Sequence, residues 1–166
     1  MKCARPRGGF TIIETILYIA IVSMMLVSIT SLIIDVMGGQ MKTSTYQDVT
    51  YYERFIVNQL MKDIRNASNV STLTSSTLVL TQPGGTITYN FNSLNNQLTR
   101  QVGSGTPVEL HQSTLAVAGS FIDQSYAGRT KTVGVNLQLV FYNAGGREEF
   151  TANSTVQFAV ELRGRR

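Results

Sequence analysis

Arg7-Gly8-Gly9-Phe10-Thr11-Ile12-Ile13-Glu14 introduces the stretch that decides the fold, because Thr15–Ile34 then runs without one charged side chain. These about 20 residues, at roughly 1.5 Å rise each, make a helix long enough to cross a hydrocarbon core of about 30 Å. No proline interrupts residues 10–82, so a single helix is expected from Phe10 to about Val36. Glu14 stands at the start of the run. A carboxylate there is costly in lipid unless something pairs with it, which marks it as a functional group.

Working outward, Lys2, Arg5 and Arg7 precede the run and only Lys42 lies close behind it. That asymmetry places the N-terminus inside and the bulk of the chain outside. Ile34-Asp35-Val36-Met37-Gly38-Gly39 offers no small-x-small cleavage site, so the apolar segment is expected to be retained. Gly38 and Gly39 each weaken a helix by about 1 kcal/mol relative to alanine, and a bend or locally melted joint is expected there. From Met41 to about Ala67 the pattern becomes that of an amphipathic helix. Val49, Tyr52, Ile56, Leu60 and Ile64 form one apolar stripe at three- and four-residue steps, with Gln47, Asp48, Glu53, Arg54, Lys62 and Arg65 largely off it. Tyr46, Tyr51 and Tyr52 are expected in core or interface packing. Asn66-Ala67-Ser68-Asn69 ends the helix.

The remainder reads as strands. Thr77–Thr81, the turn Pro83-Gly84-Gly85 and Thr86–Phe91 form a hairpin in which Ile87, Tyr89 and Phe91 share a buried face. Asn95-Asn96 turns into Gln97–Val102. Val108–Leu110, Leu115–Val117 and Ser120–Ile122 are shorter strand segments. Val133, Val135, Leu137, Leu139 and Phe141 alternate up to the turn Ala144-Gly145-Gly146-Arg147; Phe150, Ala152, Val156, Phe158, Val160 and Leu162 alternate on the return. Period-two patterning of this length implies an antiparallel sheet with one covered face, and the helix from Met41 is the natural cover. The expected class is α+β, a long N-terminal helix, half membrane-spanning and half amphipathic, packed on a C-terminal antiparallel sheet. Its segments are 1–9, a basic leader; 10–37, a transmembrane helix; 38–67, the amphipathic helix; and 68–166, the sheet domain.

Gly9-Phe10-Thr11-Ile12-Ile13-Glu14, behind a leader bearing Lys2, Arg5 and Arg7, resembles the prepilin signal of type IV pilins and secretion-system pseudopilins. The resemblance covers residues 5–35. It implies that a prepilin peptidase cuts between Gly9 and Phe10, that Phe10 is N-methylated as the new terminus, and that Glu14 pairs with that terminus on a neighbouring subunit. It further implies a structural subunit of a type IV pilus or type II secretion-like pseudopilus. Such a subunit is stored in the cytoplasmic membrane as a single-pass protein with its head outside, then built into a filament with other pilin or pseudopilin subunits by the assembly machinery. Small Ser23, Ser28 and Ser31 would permit close helix approach. The alternative is a membrane-anchored extracytoplasmic binding module, an adhesin or DNA-uptake receptor.

Charge and composition exclude several other classes. The net charge of +4 and pI near 9.4 are generic signs of a nucleic-acid binder. Removing the three leader residues from the 14 basic side chains leaves 11 against 10 acidic ones, formally +1. Three of those 11 are Arg163, Arg165 and Arg166, and no basic stripe with interleaved aromatics remains, so nucleic-acid binding is unsupported. The one cysteine, Cys3, lies in the leader, so a chain cut after Gly9 has no disulfide. Many major pilins carry one, which leans the resemblance toward minor subunits. No enzyme site, cofactor or metal centre is expected: the one histidine, His111, lacks partners at ligand spacing and is expected at the surface or an interface, Glu148-Glu149 reads as a solvated pair, and the glycine-rich turns lack a phosphate loop's lysine and serine. Asn66, Asn69 and Asn153 open glycosylation triplets of a kind common by chance in such a composition.

Overall fold

The computed structural model describes residues 9–126, 131–143, 145–147 and 150–163. The chain is α+β. Helix α1 runs from Ile12 to Asn66, and antiparallel strands follow it. Two compact units are distinguished, one ending at Gln40 and the other beginning at Met41.

In the first unit, the described residues are exposed except for half-buried Glu14 and Gly38. Ile16, Leu17, Ile19, Leu26, Ile33 and their neighbours turn their side chains to the outside, and the segment is long and apolar enough to cross a membrane. The chain therefore has a stem with no protein cover in this unit. Gly38 and Gly39 are helical residues of α1 rather than a melted joint. Their cost of about 1 kcal/mol each is small beside the cooperative hydrogen bonding of a helix with long flanks on both sides.

In the second unit, α1 buries Val49, Ile56, Leu60 and Ile64 as its stripe requires, together with Thr45 and Asp63. Tyr52 packs half-buried against the core, but Tyr46 and Tyr51 are exposed, contrary to a core role. The strands are β1 (Asn69–Leu73), β2 (Thr77–Gln82), β3 (Gly85–Asn92), β4 (Gln97–Val102), β5 (Val108–Glu109), β6 (Leu115–Asp123), β7 (Thr132–Phe141) and β8 (Asn153–Glu161).

The strands divide into two sheets where the sequence led to an expectation of one. β1 to β5 form a five-stranded meander in chain order, and β6, β7 and β8 form a three-stranded one. Alternation specifies which face of a strand is buried, and both sheets satisfy it. In the first, Leu78 and Leu80 pair with Tyr89 and Ile87, and Phe91 pairs with Leu98. In the second, Val133, Val135, Leu137 and Leu139 face the core from the central strand. One apolar cluster joins these residues to the α1 stripe, so the helix covers both sheets at once.

Backbone hydrogen bonds stitch the sheets together: Phe121 N–H donates to the Ser75 carbonyl at 3.0 Å and Val117 N–H to the Asn96 carbonyl at 2.7 Å. The two short segments expected around Val117 and Phe121 are one strand, β6. The connection from β7 to β8 spans residues 142–152, longer than the four-residue turn expected. Phe150 lies in that connection, stacked on Phe141 with ring centroids 6.2 Å apart. Ala144 and the pair Glu148-Glu149 lie outside the described residues.

Candidate functional site

The end of the stem is built by a helix cap. Thr11 precedes the first helical residue, and its Oγ1 accepts the Glu14 backbone N–H at 3.3 Å. The Thr11 carbonyl accepts both the Thr15 N–H at 3.2 Å and the Thr15 hydroxyl at 3.3 Å. Thr11-Ile12-Ile13-Glu14 therefore carries one arm of a capping box, whose other arm would be the Glu14 carboxylate on the Thr11 amide. The carboxylate goes elsewhere: its Oε1 accepts the Tyr18 hydroxyl at 3.5 Å. An acidic side chain in a first helical turn is also favoured by the helix dipole. Phe10 and Tyr18 meet edge to face at 6.2 Å, so Phe10, Glu14 and Tyr18 follow one another along one side of the helix. Gly9 and Phe10 are exposed ahead of it, with Phe10 76% accessible.

Further along the stem, three hydroxyls are satisfied within their own helix. Ser23 donates to the Ile19 carbonyl at 2.7 Å, Ser28 to Met24 at 3.0 Å and Thr30 to Leu26 at 2.8 Å. Back-bonding of this kind gives a hydroxyl its partner without water, as an apolar surrounding demands. The chain matches no family model, no curated protein and no solved structure.

A second polar centre lies in the globular unit, and it is structural. Asp63 Oδ2 accepts the Tyr89 hydroxyl at 2.6 Å, Arg100 Nε at 2.8 Å and Gln59 Nε2 at 3.2 Å, while Gln82 Nε2 donates to the Asp63 carbonyl at 2.9 Å. Tyr89 and Arg100 are direct cross-strand partners on β3 and β4, so the pair reaches jointly toward the helix. Burial acts to raise the Asp63 pKa, but hydrogen bonds from Arg100, Tyr89 and Gln59 and the Arg100 charge outweigh it and hold the carboxyl below its ordinary value. Burial and the Asp63 carboxylate push the Tyr89 phenol far up, which keeps it a donor. The sequence signal for this centre is a carboxylate three residues after Leu60, on the apolar stripe.

His111 is buried, which corrects the surface position expected for it. Its Nε2 accepts the Leu98 N–H at 3.3 Å and lies 3.4 Å from Glu109 Oε1, and its Nδ1 lies 2.9 Å from the Gln112 carbonyl. It closes the backbone between β4 and β5 rather than facing solvent. Glu53 accepts the Ser154 hydroxyl and ties α1 to β8. Among the described residues, no three His, Cys, Asp or Glu side chains gather into a metal-binding group.

Proposed function

We propose that the chain is a pilin-like structural subunit of a type IV pilus or type II secretion-like pseudopilus. In this reading a prepilin peptidase cuts it between Gly9 and Phe10, Phe10 is N-methylated, and the apolar stem anchors it in the cytoplasmic membrane until it enters a filament. One observation carries the proposal: a bare apolar helix whose uncharged run follows directly on a single carboxylate, Glu14, just behind an exposed Gly9-Phe10 bond. An ordinary anchor has no use for that carboxylate at that distance from that bond.

The mechanism follows from charge in a medium of low dielectric. Before cleavage the leader's Lys2, Arg5 and Arg7 hold the N-terminus on the inner side. Cleavage removes them and creates an ammonium at Phe10. A carboxylate and an ammonium that leave water together each lose solvation worth several kcal/mol, and direct pairing offsets that loss only at hydrogen-bonding distance. Glu14 of an incoming subunit and the Phe10 amine of its neighbour therefore select the one axial position in which both are satisfied. Aliphatic side chains supply the remaining contact, unspecific in direction.

The intact mass and N-terminal sequence of the mature chain test the processing step. A start at Phe10 carrying one added methyl group is expected; a chain still beginning at Met1, or one starting after Ile34, overturns the reading. Glu14→Ala tests the pairing separately. It should insert in the membrane normally and fail to enter filaments, and normal incorporation would refute the role given to Glu14.

A further inference from the structure

A cleft of about 390 Å³ opens where the two sheets meet, at the small end of the roughly 300–1,000 Å³ typical of ligand sites. Its polar lining comes from Ser75, Ser76, Asn92, Ser93, Asn96 and Ser120, and among the described residues none that lines it is charged. Phe91 and Val117, both buried, supply its apolar base. We infer that this seam is a binding site for a neutral, hydroxyl-rich ligand, a mono- or disaccharide. The inference concerns the globular unit alone and does not rest on the filament reading.

Three features carry it. The polar groups are available: among the described residues, the hydroxyls of Ser75, Ser76 and Ser93 and the Asn96 carboxamide have no hydrogen-bond partner, while Asn92 Oδ1 accepts the Leu94 N–H at 3.0 Å and the Ser120 hydroxyl accepts Asn136 Nδ2 at 3.5 Å. The backbone beneath them is fixed in advance. The Ser75 carbonyl is held by Phe121 N–H at 3.0 Å, Ser76 by Phe91 N–H at 2.8 Å and Asn96 by Val117 N–H at 2.7 Å, so little ordering remains to be done on binding. The depth is also set by close approach: a Cβ on Gly119 would fall 2.6 Å from Phe91 Cζ and 2.4 Å from the Asn136 carbonyl oxygen, so only glycine lets β6 lie against the ring.

The uncharged lining formed by the described residues selects the ligand class. A phosphate, carboxylate or ammonium entering here would lose hydration and find no counter-ion. A sugar ring instead offers hydroxyls to the serines and carboxamides and a C–H face to the apolar base.

The test is an amide-resolved NMR titration of the full chain in micelles of a phosphocholine detergent, which carries no sugar of its own. Glucose, galactose, N-acetylglucosamine and lactose are each added up to about 50 mM, enough to saturate a site of millimolar affinity. At least one should give saturable shifts confined to Ser75, Ser93, Asn96 and Gly119. Asn96 adopts φ +51°, a conformation glycine takes freely, so Asn96→Gly preserves the turn while deleting the side chain and its carboxamide. It should weaken binding by about tenfold. Ser93→Ala, on the exposed rim, gives the same readout with no backbone consequence. The inference is overturned if none of the four sugars shifts these amides, if inorganic phosphate shifts them more than the sugars do, or if both variants bind as the parent does.

Discussion

Replacing Asp63 with alanine should destabilise the globular unit by about 3 kcal/mol, and the structure says where that comes from. The Tyr89 hydroxyl loses its 2.6 Å acceptor, and Tyr89 is 0% exposed, so water does not replace it. An orphaned buried donor costs about 1–3 kcal/mol. Arg100 also loses its 2.8 Å partner, but its side chain is 23% exposed and can turn partly to solvent, so its share is nearer 1 kcal/mol. Tyr89→Phe offers the contrast. It removes one hydrogen bond yet leaves the carboxylate with Arg100 and Gln59, for about 1 kcal/mol. The double variant should cost less than the two single changes together, because no donor is then stranded beside Tyr89's position. Urea unfolding of the full chain in micelles, followed by far-UV circular dichroism, gives the three differences from midpoint and slope. A cost below about 1 kcal/mol for Asp63→Ala, or strict additivity in the double variant, would refute the account of this centre as a helix-to-sheet lock.

The same centre gives a pH dependence of definite sign. The folded-state pKa of Asp63 is held below 3.8, so its stabilising contribution is complete above the unfolded-state value near 4 and is lost as pH falls through the lower folded value. The stability advantage of the parent over Asp63→Asn should therefore be constant at neutral pH and shrink below about pH 4, as read by unfolding at successive pH values. Gly119→Ala should lower stability by about 1–3 kcal/mol, because the new Cβ meets the Asn136 carbonyl oxygen at 2.4 Å and backbone cannot swing away as a side chain can. Thermal unfolding beside the parent checks it, and an unchanged midpoint would show that β6 and Phe91 are less tightly apposed than described.

The parts of the fold legible in the sequence are those where one side-chain period dominates. The uncharged run, the α1 stripe through Val49, Ile56, Leu60 and Ile64, and the alternation in β3 and β7 each state a face, and the structure buries that face. Which strand lies beside which is a different question. Leu115 and Leu139 are equally apolar and equally alternating, so nothing in them announces that β6 leaves the first sheet and starts another. Asp63, though on the apolar stripe, does not announce its role, because its partners Tyr89 and Arg100 lie far along the chain. The burial of His111 is hidden for a related reason: its acceptor role depends on the Leu98 N–H, which only the pairing of β4 with its neighbour presents. At the stem, Thr11 three residues ahead of Glu14 was a readable cap, overshadowed by the cost of the carboxylate. The two readings are compatible, since the backbone N–H of Glu14 serves the cap and its side chain remains for other work.

The back-bonded hydroxyls of the stem have one more consequence. With Ser23, Ser28 and Thr30 each committed to the preceding turn of its own helix, these positions hold no directional bond that a lateral slide could break. Displaced by one helical turn against any apolar surrounding, the stem trades methyl for methyl at nearly constant energy. Distance is therefore weakly marked between Thr15 and Ile34, like a ruler graduated only at its ends, where Glu14 and Asp35 stand.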